Sequence, residues 1–157
     1  MNLYLVHHGP AVGPDVDPRR PLSAVGRATV DRAAALTAGR GAHPVVVWHS
    51  GKLRAKQTAE AFWRACNALA EFSATRGVQP DDPPMWIRDR LRGEPRDILL
   101  AGHFPHLPRL LAQLTRAQPD AAHDFPPHGV VALVTDDEGE TWKESWRIAE
   151  EVLGAGC

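Results

Sequence analysis

A short apolar run near the amino end of the chain, Leu3-Tyr4-Leu5-Val6, is followed directly by His7-His8-Gly9. Continuous apolar runs of this length, bounded by turn residues, are typical of strands that are buried on both faces of a sheet. The pattern recurs in Val45-Val46-Val47-Trp48 and in Asp97-Ile98-Leu99-Leu100-Ala101, and a histidine follows each of these runs as well. The sequence therefore predicts three central strands that end close to histidines.

Segments with apolar residues at helical spacing alternate with these runs. They predict helices over Ser23–Ala38, from Leu53 to about Ser73, over Met85–Leu91 and over Leu107–Arg116. The alternation of strand and helix is the pattern of a parallel sheet with helices on both faces.

Two further segments, Gly129–Val134 and Thr141–Trp146, predict a hairpin around the turn Asp136-Asp137-Glu138-Gly139. Hairpin strands are antiparallel, so they extend a parallel sheet with an antiparallel edge. The expected fold class is α/β: a three-layer α/β/α sandwich with a mostly parallel central sheet and an antiparallel edge strand. All 157 residues are expected to form a single domain, because this length suits one core and is short for two.

Composition and charge exclude several function classes. The chain has 18 Lys+Arg against 19 Asp+Glu and no basic stripe beside its tryptophans, so we expect no nucleic-acid binding. The first apolar run lacks the basic segment of a signal peptide, and no stretch approaches the ~20 apolar residues of a membrane span. Two cysteines, Cys66 and Cys157, make no disulfide framework, which favours a reducing compartment. We therefore expect a cytoplasmic protein without membrane contact.

The loops after the three predicted central strands carry histidine, and in open α/β sheets these loops form the binding crevice. The histidines concerned are His7, His8, His49 and His103. Histidine in such a place serves as an acid–base catalyst, a nucleophile or a metal ligand. Arg54 and one of Arg19 or Arg20 are expected nearby. Such cations repel a metal ion and hold a phosphate dianion, which carries about −1.5 to −2 charges at neutral pH.

Several motifs, in sequence order, resemble those of the histidine phosphatase superfamily, the phosphoglycerate mutase-like proteins. Leu5-Val6-His7-His8-Gly9 resembles the opening strand and Arg-His-Gly motif, and Ser50–Thr58 resembles the motif Ser-x-x-x-Arg-Ala-x-Gln-Thr. Ala101-Gly102-His103 is similar to the Gly-His motif. The segments most similar to the small SixA-type phosphohistidine phosphatases are Arg20–Ser23, Pro80–Pro83 and His103–Leu107. The resemblance covers nearly the whole chain.

The resemblance implies a phosphatase with a covalent mechanism, in which His8 attacks phosphorus and carries the phosphoryl group. His103 and Arg54 complete the implied catalytic set, with Arg54 bound to the phosphoryl oxygens. The implied phosphate pocket comprises His7, Gly9, Arg20 and Ser50. Arg19 stays an alternative to Arg20, because either of these neighbours can face the pocket. The resemblance implies no cofactor and no metal.

The resemblance also bears on the substrate and the partner. SixA-type enzymes resemble this sequence in lacking an obvious general-acid carboxylate, and a leaving imidazole is easily protonated, so protein phosphohistidine is the expected substrate. Asp81, Asp82 and Glu94 are the available carboxylates, and a surface position is expected for each. A phosphorylated partner protein is expected to dock over the proline-rich loops at residues 10–21, 79–84 and 119–128. A small phosphorylated molecule is the alternative substrate.

One residue departs from the superfamily motif, because His7 stands where the family has arginine. Histidine offers at most one donor to any one oxygen, and losing a charge-assisted hydrogen bond costs roughly 1.5 to 3 kcal/mol. Our leading hypothesis is a working enzyme in which protonated His7 replaces the arginine and activity rises toward acid pH. A second hypothesis is a family member that binds a phosphorylated ligand without turnover. A third is a transition-metal site formed by His7, His8, His49 and His103.

His128 precedes the first strand of the predicted hairpin, in Pro126-Pro127-His128-Gly129. If that strand were parallel to the others, His128 would lie at the far end of the sheet from the crevice. An antiparallel strand brings it to the same end, and the sequence leaves both placements open.

Overall fold

The computed structural model describes residues 1–116 and 124–149. In chain order its elements are β1 (Asn2–His7), α1 (Ala24–Gly39), β2 (Val46–His49), α2 (Leu53–Cys66), β3 (Glu71–Ala74), α3 (Met85–Leu91), β4 (Ile98–Gly102), α4 (His106–Thr115), β5 (Val130–Val134) and β6 (Lys143–Ile148). Cys157 and part of the proline-rich stretch at 119–128 lie outside the described residues.

One sheet contains all six strands, in the order β3-β2-β4-β1-β5-β6. The pairs β2–β3, β2–β4 and β1–β4 are parallel, whereas β1–β5 and β5–β6 are antiparallel. Leu5, at the middle of β1, lies opposite Leu100 on one side and Val131 on the other. The predicted mostly parallel sheet with an antiparallel edge is confirmed, and the second hairpin strand begins two residues later than predicted.

Alternate residues of the central strands face two separate apolar layers. Leu3 and Leu5 belong to a core closed by α3 and α4, and Tyr4 and Val6 belong to a core closed by α1 and α2. This period of two follows from the pleat of a strand that is buried on both faces. The three-layer sandwich is therefore confirmed. None of the helices in the described part of the chain is long and apolar enough to cross a bilayer.

The second helix is shorter than predicted: α2 ends at Cys66, and strand β3 follows it. Asn67 has an extended backbone, and its side chain donates to Pro44 O at 3.0 Å and accepts from Leu69 N at 3.1 Å. These bonds turn the chain back along β2. Strand β3 was missed because its residues are mostly exposed, so it lacks the apolar run that reveals a central strand.

The loop after β1 is held against the first turn of α1. Ser23 caps this helix by accepting a hydrogen bond from Gly26 N at 2.9 Å, and Ser23 N donates to Pro10 O at 3.1 Å. A Cβ on Gly26 would lie 1.9 Å from Pro10 O, so only glycine allows this approach. The contact determines the path of the segment that follows His8 and Gly9.

Replacement of Gly26 by alanine is therefore expected to destabilise the protein by about 1 to 3 kcal/mol, because backbone atoms of the site loop must move. Gly39 ends the same helix with no atom within 4 Å of its position for a Cβ. Gly39→Ala is the matched control and is expected to be neutral or to stabilise by up to about 1 kcal/mol. Urea unfolding of both variants measures the difference. Equal stability of the two would show that the Pro10 contact does not constrain the fold.

Candidate active site

The carboxyl ends of β1 and β4 bring three of the four predicted histidines together. The ring centroids of His8 and His103 are 5.1 Å apart, and those of His7 and His8 are 4.5 Å apart. The parallel register of β1 and β4 pairs His7 with Gly102 and thereby determines these distances. The fourth histidine lies elsewhere: the centroid of the His49 ring is 5.0 Å from that of the Phe72 ring.

The loop after β2 contributes Ser50 rather than His49 to this group. Ser50 Oγ and His103 Nε2 are 2.6 Å apart, within hydrogen-bond distance. His49 Nδ1 instead accepts a hydrogen bond from Gly51 N at 3.0 Å, which stabilises the turn into α2. Of the three strand-end histidine positions predicted to meet, two therefore do.

His8 is held in the tautomer that a nucleophile requires. Its Nδ1–H donates to Gly9 O at 2.8 Å, so the proton of the neutral ring lies on Nδ1 and Nε2 keeps its lone pair. Burial is the main cause that lowers the pKa of His8 from 6.5 to about 4; the hydrogen bond to Gly9 is the next largest effect and raises it, and the charges of Arg54, His128 and Arg20 lower it further. His8 is therefore neutral over the physiological pH range.

Gly9 fits this place because no side chain can be added to it. A Cβ would lie 2.3 Å from Val30 Cγ2, in the layer between the sheet and α1. Gly9 N donates to Thr58 Oγ1 at 3.1 Å, which ties the loop to α2. The carbonyl of Gly9 thus receives the His8 proton from a fixed position.

Arg54 lies in the first turn of α2, beside the histidines. Burial, and then the charge of Arg20, lowers the pKa of Arg54. Its Nε is buried and has no hydrogen-bond partner among residues 1–116 and 124–149. A helix N-terminus and a guanidinium together favour an anion at this place.

Arg20 faces this site, whereas Arg19 does not. The charge of Arg20 acts on both His8 and Arg54, and Arg20 Nε donates to Val12 O at 3.1 Å. Arg20 has a φ of 50°, a left-handed backbone conformation that is uncommon for arginine. Arg19 points outward and pairs with Asp17 at 3.3 Å, with 77% of its side chain exposed.

His103 is almost fully buried, with 1% of its surface exposed. Burial, and then the charges of His8 and Arg54, lowers its pKa from 6.5 to about 3, so His103 is neutral. Its Nδ1 has no hydrogen-bond partner within the described ranges. Ser50 is held in turn from the neighbouring loop, where Gln79 Nε2 donates to Ser50 O at 2.7 Å.

His7 differs from the sequence-based hypothesis, because the structure makes it neutral rather than protonated. Its ring is stacked between Phe104, at 3.9 Å, and His128, at 4.8 Å. His7 Nδ1 accepts a hydrogen bond from His128 N at 2.7 Å, so the proton of the ring lies on Nε2. Burial, and then the charges of His8 and His128, lowers the pKa of His7 from 6.5 to about 2. His7 therefore offers one N–H donor and no permanent charge.

His128 is a site residue that the sequence did not place. It precedes β5, whose antiparallel direction brings the start of that strand to the carboxyl end of β1. His128 Nδ1–H donates to His8 O at 2.7 Å, in addition to the backbone bond to His7. Its φ of 57° is the left-handed conformation. The signal available in the sequence was the antiparallel hairpin, which predicts this end of the sheet for His128.

The three candidate carboxylates lie in loops, and two of them are bonded to neighbouring groups. Asp82 Oδ2 accepts from Gln79 N at 2.9 Å within its own turn, and Asp81 is exposed. Glu94 pairs with Arg96 at 2.9 Å and lies beside Met1, at the opposite end of the sheet. These positions agree with the surface placement expected from the sequence.

A metal site would require a different donor set from the four histidines of the sequence-based hypothesis. Within the described residues, the set that could surround an ion is His7, His8 and His128, whose ligand atoms lie within 4.8 Å of one another. The hydrogen bond from His128 N occupies Nδ1 of His7 and leaves a proton on Nε2, so His7 has no free lone pair. The absence of a metal stays a prediction, and the tautomer of His7 supports it.

Comparison with known proteins shows likeness in structure and not in sequence. No protein-family model and no curated protein sequence matches this chain. A structure of the protein histidine phosphatase SixA in complex with tungstate superimposes with a TM-score of 0.83 at 21% identity, covering 95% of this chain and 97% of that one. The chain has the SixA fold.

Proteins that are named for other activities also have structures similar to this chain. A phosphoserine phosphatase from Entamoeba histolytica, in complex with 3-phosphoglyceric acid, has a TM-score of 0.72 at 13% identity, with 97% and 98% of the two chains covered. A phosphoglycerate mutase from Plasmodium falciparum has a TM-score of 0.71 at 17% identity, with 92% and 88% covered. The SixA fold is thus common to proteins with different named activities. The fold alone therefore does not identify the substrate of this chain.

The tautomer of His7 can be tested directly by nitrogen NMR of labelled protein in the absence of phosphate. Between pH 7 and pH 5, His7 is expected to show a protonated Nε2 and an unprotonated Nδ1, because its pKa is lowered to about 2. In urea the same histidine should gain a proton near the ordinary value of about 6.5. If both His7 nitrogens of the folded protein carry protons at pH 6, this assignment is wrong and the hypothesis of a protonated His7 is supported.

Proposed function

We propose that the chain is a phosphatase that transfers a phosphoryl group from its substrate to His8 and then to water. The observation that carries this proposal is the hydrogen bond from His8 Nδ1–H to Gly9 O, at 2.8 Å, which leaves Nε2 unprotonated beside two arginines. A nucleophilic nitrogen needs a lone pair, and a phosphoryl group needs cations for its oxygens. The SixA fold is consistent with this chemistry.

In the first step His8 Nε2 attacks phosphorus, and the bond to the leaving group breaks. Arg54 and Arg20 bind the phosphoryl oxygens, and their charges persist through the transition state. Two neutral groups complete the pocket: Nε2–H of His7 donates one hydrogen bond, and His103, held by Ser50, offers its unpartnered Nδ1. In the second step water attacks the phosphohistidine, which releases phosphate and restores His8.

Protein phosphohistidine is the substrate that we propose. Asp82 and Glu94 are bonded to neighbouring groups and Asp81 is exposed, whereas a phosphohistidine donor has a leaving imidazole that is easily protonated. A groove beside the site, lined by Ser50, Gln79, Asp82 and Trp86 among others, includes part of the proline-rich loop at 79–84 and offers a surface for a partner protein. A cytoplasmic location fits the free thiol of Cys66.

A binding protein without turnover is the second candidate function, and His7 is the observation that favours it. The neutral ring supplies one hydrogen bond where the family arginine supplies a charged pair of donors. The deficit of roughly 1.5 to 3 kcal/mol slows the reaction about ten- to a hundredfold if it falls entirely on the transition state. The lone pair of His8 is retained in full, so slow turnover is expected rather than none.

The covalent intermediate is the decisive measurement for turnover. A histidine-phosphorylated protein labelled with ³²P should label this chain, and the label should be stable to alkali and lost in acid. His8→Ala is expected to abolish labelling and to reduce release of phosphate by at least about a thousandfold. His43→Ala, which removes an exposed histidine, is the control and should behave as the wild type. Binding of phosphate without any labelling would instead support the non-catalytic function.

The assignment of Arg20 rather than Arg19 to the pocket can be tested with inorganic phosphate. Arg20→Ala is expected to weaken phosphate binding about tenfold or more, through the loss of one charge-assisted hydrogen bond. Arg19→Ala removes the same charge from the neighbouring exposed position and should leave the dissociation constant unchanged. Isothermal titration calorimetry at low salt measures both. The reverse pattern would assign Arg19 to the pocket.

A further inference from the structure

Among residues 1–116 and 124–149, one ring nitrogen of His128 makes no hydrogen bond. Its Nδ1–H is committed to His8 O at 2.7 Å, and this bond determines the tautomer of the neutral ring. Nε2 of His128 is therefore free to take up a proton and to release it again. The residue is partly exposed, unlike His7 and His103, so water and substrate reach it.

The position of His128 relative to the nucleophile fits a proton donor. Ligand nitrogens of His8 and His128 lie within 4.8 Å of each other, and the ring centroids are 6.2 Å apart. An attacking atom lies about 3 to 3.5 Å from its target, and a general acid acts over about 2.6 to 3.2 Å. One phosphoryl group with its leaving oxygen therefore fits between the rings of His8 and His128.

The backbone of His128 has an uncommon left-handed conformation, which the surrounding hydrogen bonds hold in place. A φ of 57° is unusual for histidine, and such conformations persist where the surrounding structure enforces them. Two hydrogen bonds, to His7 Nδ1 and to His8 O, do so here. Together they hold the His128 ring at 4.8 Å from the ring of His7 and beside the nucleophile.

We propose that His128 is the general acid–base residue of this site, and that it extends the substrate class to phosphate monoesters of alkyl alcohols. This inference rests on the proposed function, since it requires a phosphoryl transfer to His8. It supplies what the carboxylates do not, namely a proton for a leaving oxygen. An alkoxide is a poor leaving group, so its esters need this proton, whereas phosphohistidine does not.

The proton balance over the two steps is complete. In the first step His8 Nε2 bonds to phosphorus, the P–O bond to the alcohol breaks, and the Nε2 proton of cationic His128 passes to the leaving oxygen. His128 is then neutral, with Nδ1–H still bonded to His8 O. In the second step water attacks phosphorus, its proton passes to His128 Nε2, and the P–N bond breaks, so that phosphate leaves and His128 is again cationic.

The groups facing His128 are the stacked ring of His7, the nucleophile His8 and the nearby arginine charges. His7 is neutral, because its Nδ1 is an acceptor, and His8 is neutral until it is phosphorylated. A phosphate dianion bound at His8 lies beside the charges of Arg54 and Arg20 as well as His128.

The matched test variant is His128→Asn. Asparagine tolerates the left-handed conformation, and its side-chain amide can donate to His8 O as Nδ1–H does, but it has no group that exchanges a proton. His43→Asn makes the same chemical change at an exposed histidine and is the control. Two substrates are compared: phosphoserine, with a poor leaving oxygen, and 4-nitrophenyl phosphate, with a good one.

For His128→Asn, kcat/KM for phosphoserine is expected to fall by about a hundredfold or more, the usual contribution of a general acid. The value for 4-nitrophenyl phosphate should fall far less, and its phosphoenzyme should form quickly but decay more slowly than in the wild type, since the second step lacks its base. A structural role would not separate the two substrates.

Equal losses for both substrates, no loss for either, or a wild-type enzyme that cleaves 4-nitrophenyl phosphate but not phosphoserine would each overturn the role of His128 and leave the phosphatase intact. Failure of the wild type to form any phosphoenzyme from 4-nitrophenyl phosphate would overturn the proposed function itself, and the role of His128 with it. The two failures are therefore distinguishable in one set of measurements.

Discussion

Strand β1 is hydrogen-bonded to a parallel neighbour on one side and to an antiparallel neighbour on the other, and the site depends on this placement. The parallel partner β4 brings its carboxyl end, and so His103, beside His8. The antiparallel partner β5 begins at the same edge of the sheet, so His128, which precedes β5, lies there as well. His8 N and His7 N donate to Gly102 O and Gly129 O, each at 3.1 Å, and these bonds align the three segments.

The hydrogen bonds around β1 also decide the chemistry of each ring. A neutral imidazole has one donor and one acceptor nitrogen, so fixing one nitrogen determines the other. Backbone groups fix three rings here: Gly9 O receives a proton from His8, His8 O receives one from His128, and His128 N donates to His7. The outcome is an unprotonated Nε2 on His8 and on His128, and an N–H donor at Nε2 of His7. The fold thus gives chemically identical side chains different tautomers.

The sequence was sufficient for the parts of the fold that depend on local pattern. β1, β2 and β4 are buried on both faces and therefore appear as apolar runs, and Arg54 follows β2 at a recognisable spacing. β3 was missed, because an exposed edge strand is held by main-chain bonds to β2 and not by an apolar run. The antiparallel hairpin indicated the end of the sheet at which His128 lies, but its bond to His7 spans 121 residues, and no local pattern predicts a contact of that separation.

The charge state of His7 was likewise not readable from the sequence, because burial determines it. A histidine where the similar motif has arginine suggests a cation that depends on pH, but the ring lies between Phe104 and His128 with its Nδ1 already bonded. Protonating Nδ1 would break that bond and place a charge in a buried stack beside Arg54, whose charge opposes it. Compared with a pocket that has arginine at position 7, this site lacks one cation and has a fixed N–H donor instead. Arginine keeps its charge at all physiological pH values, so the positive charge that Arg54 and Arg20 bring to this site does not change with pH.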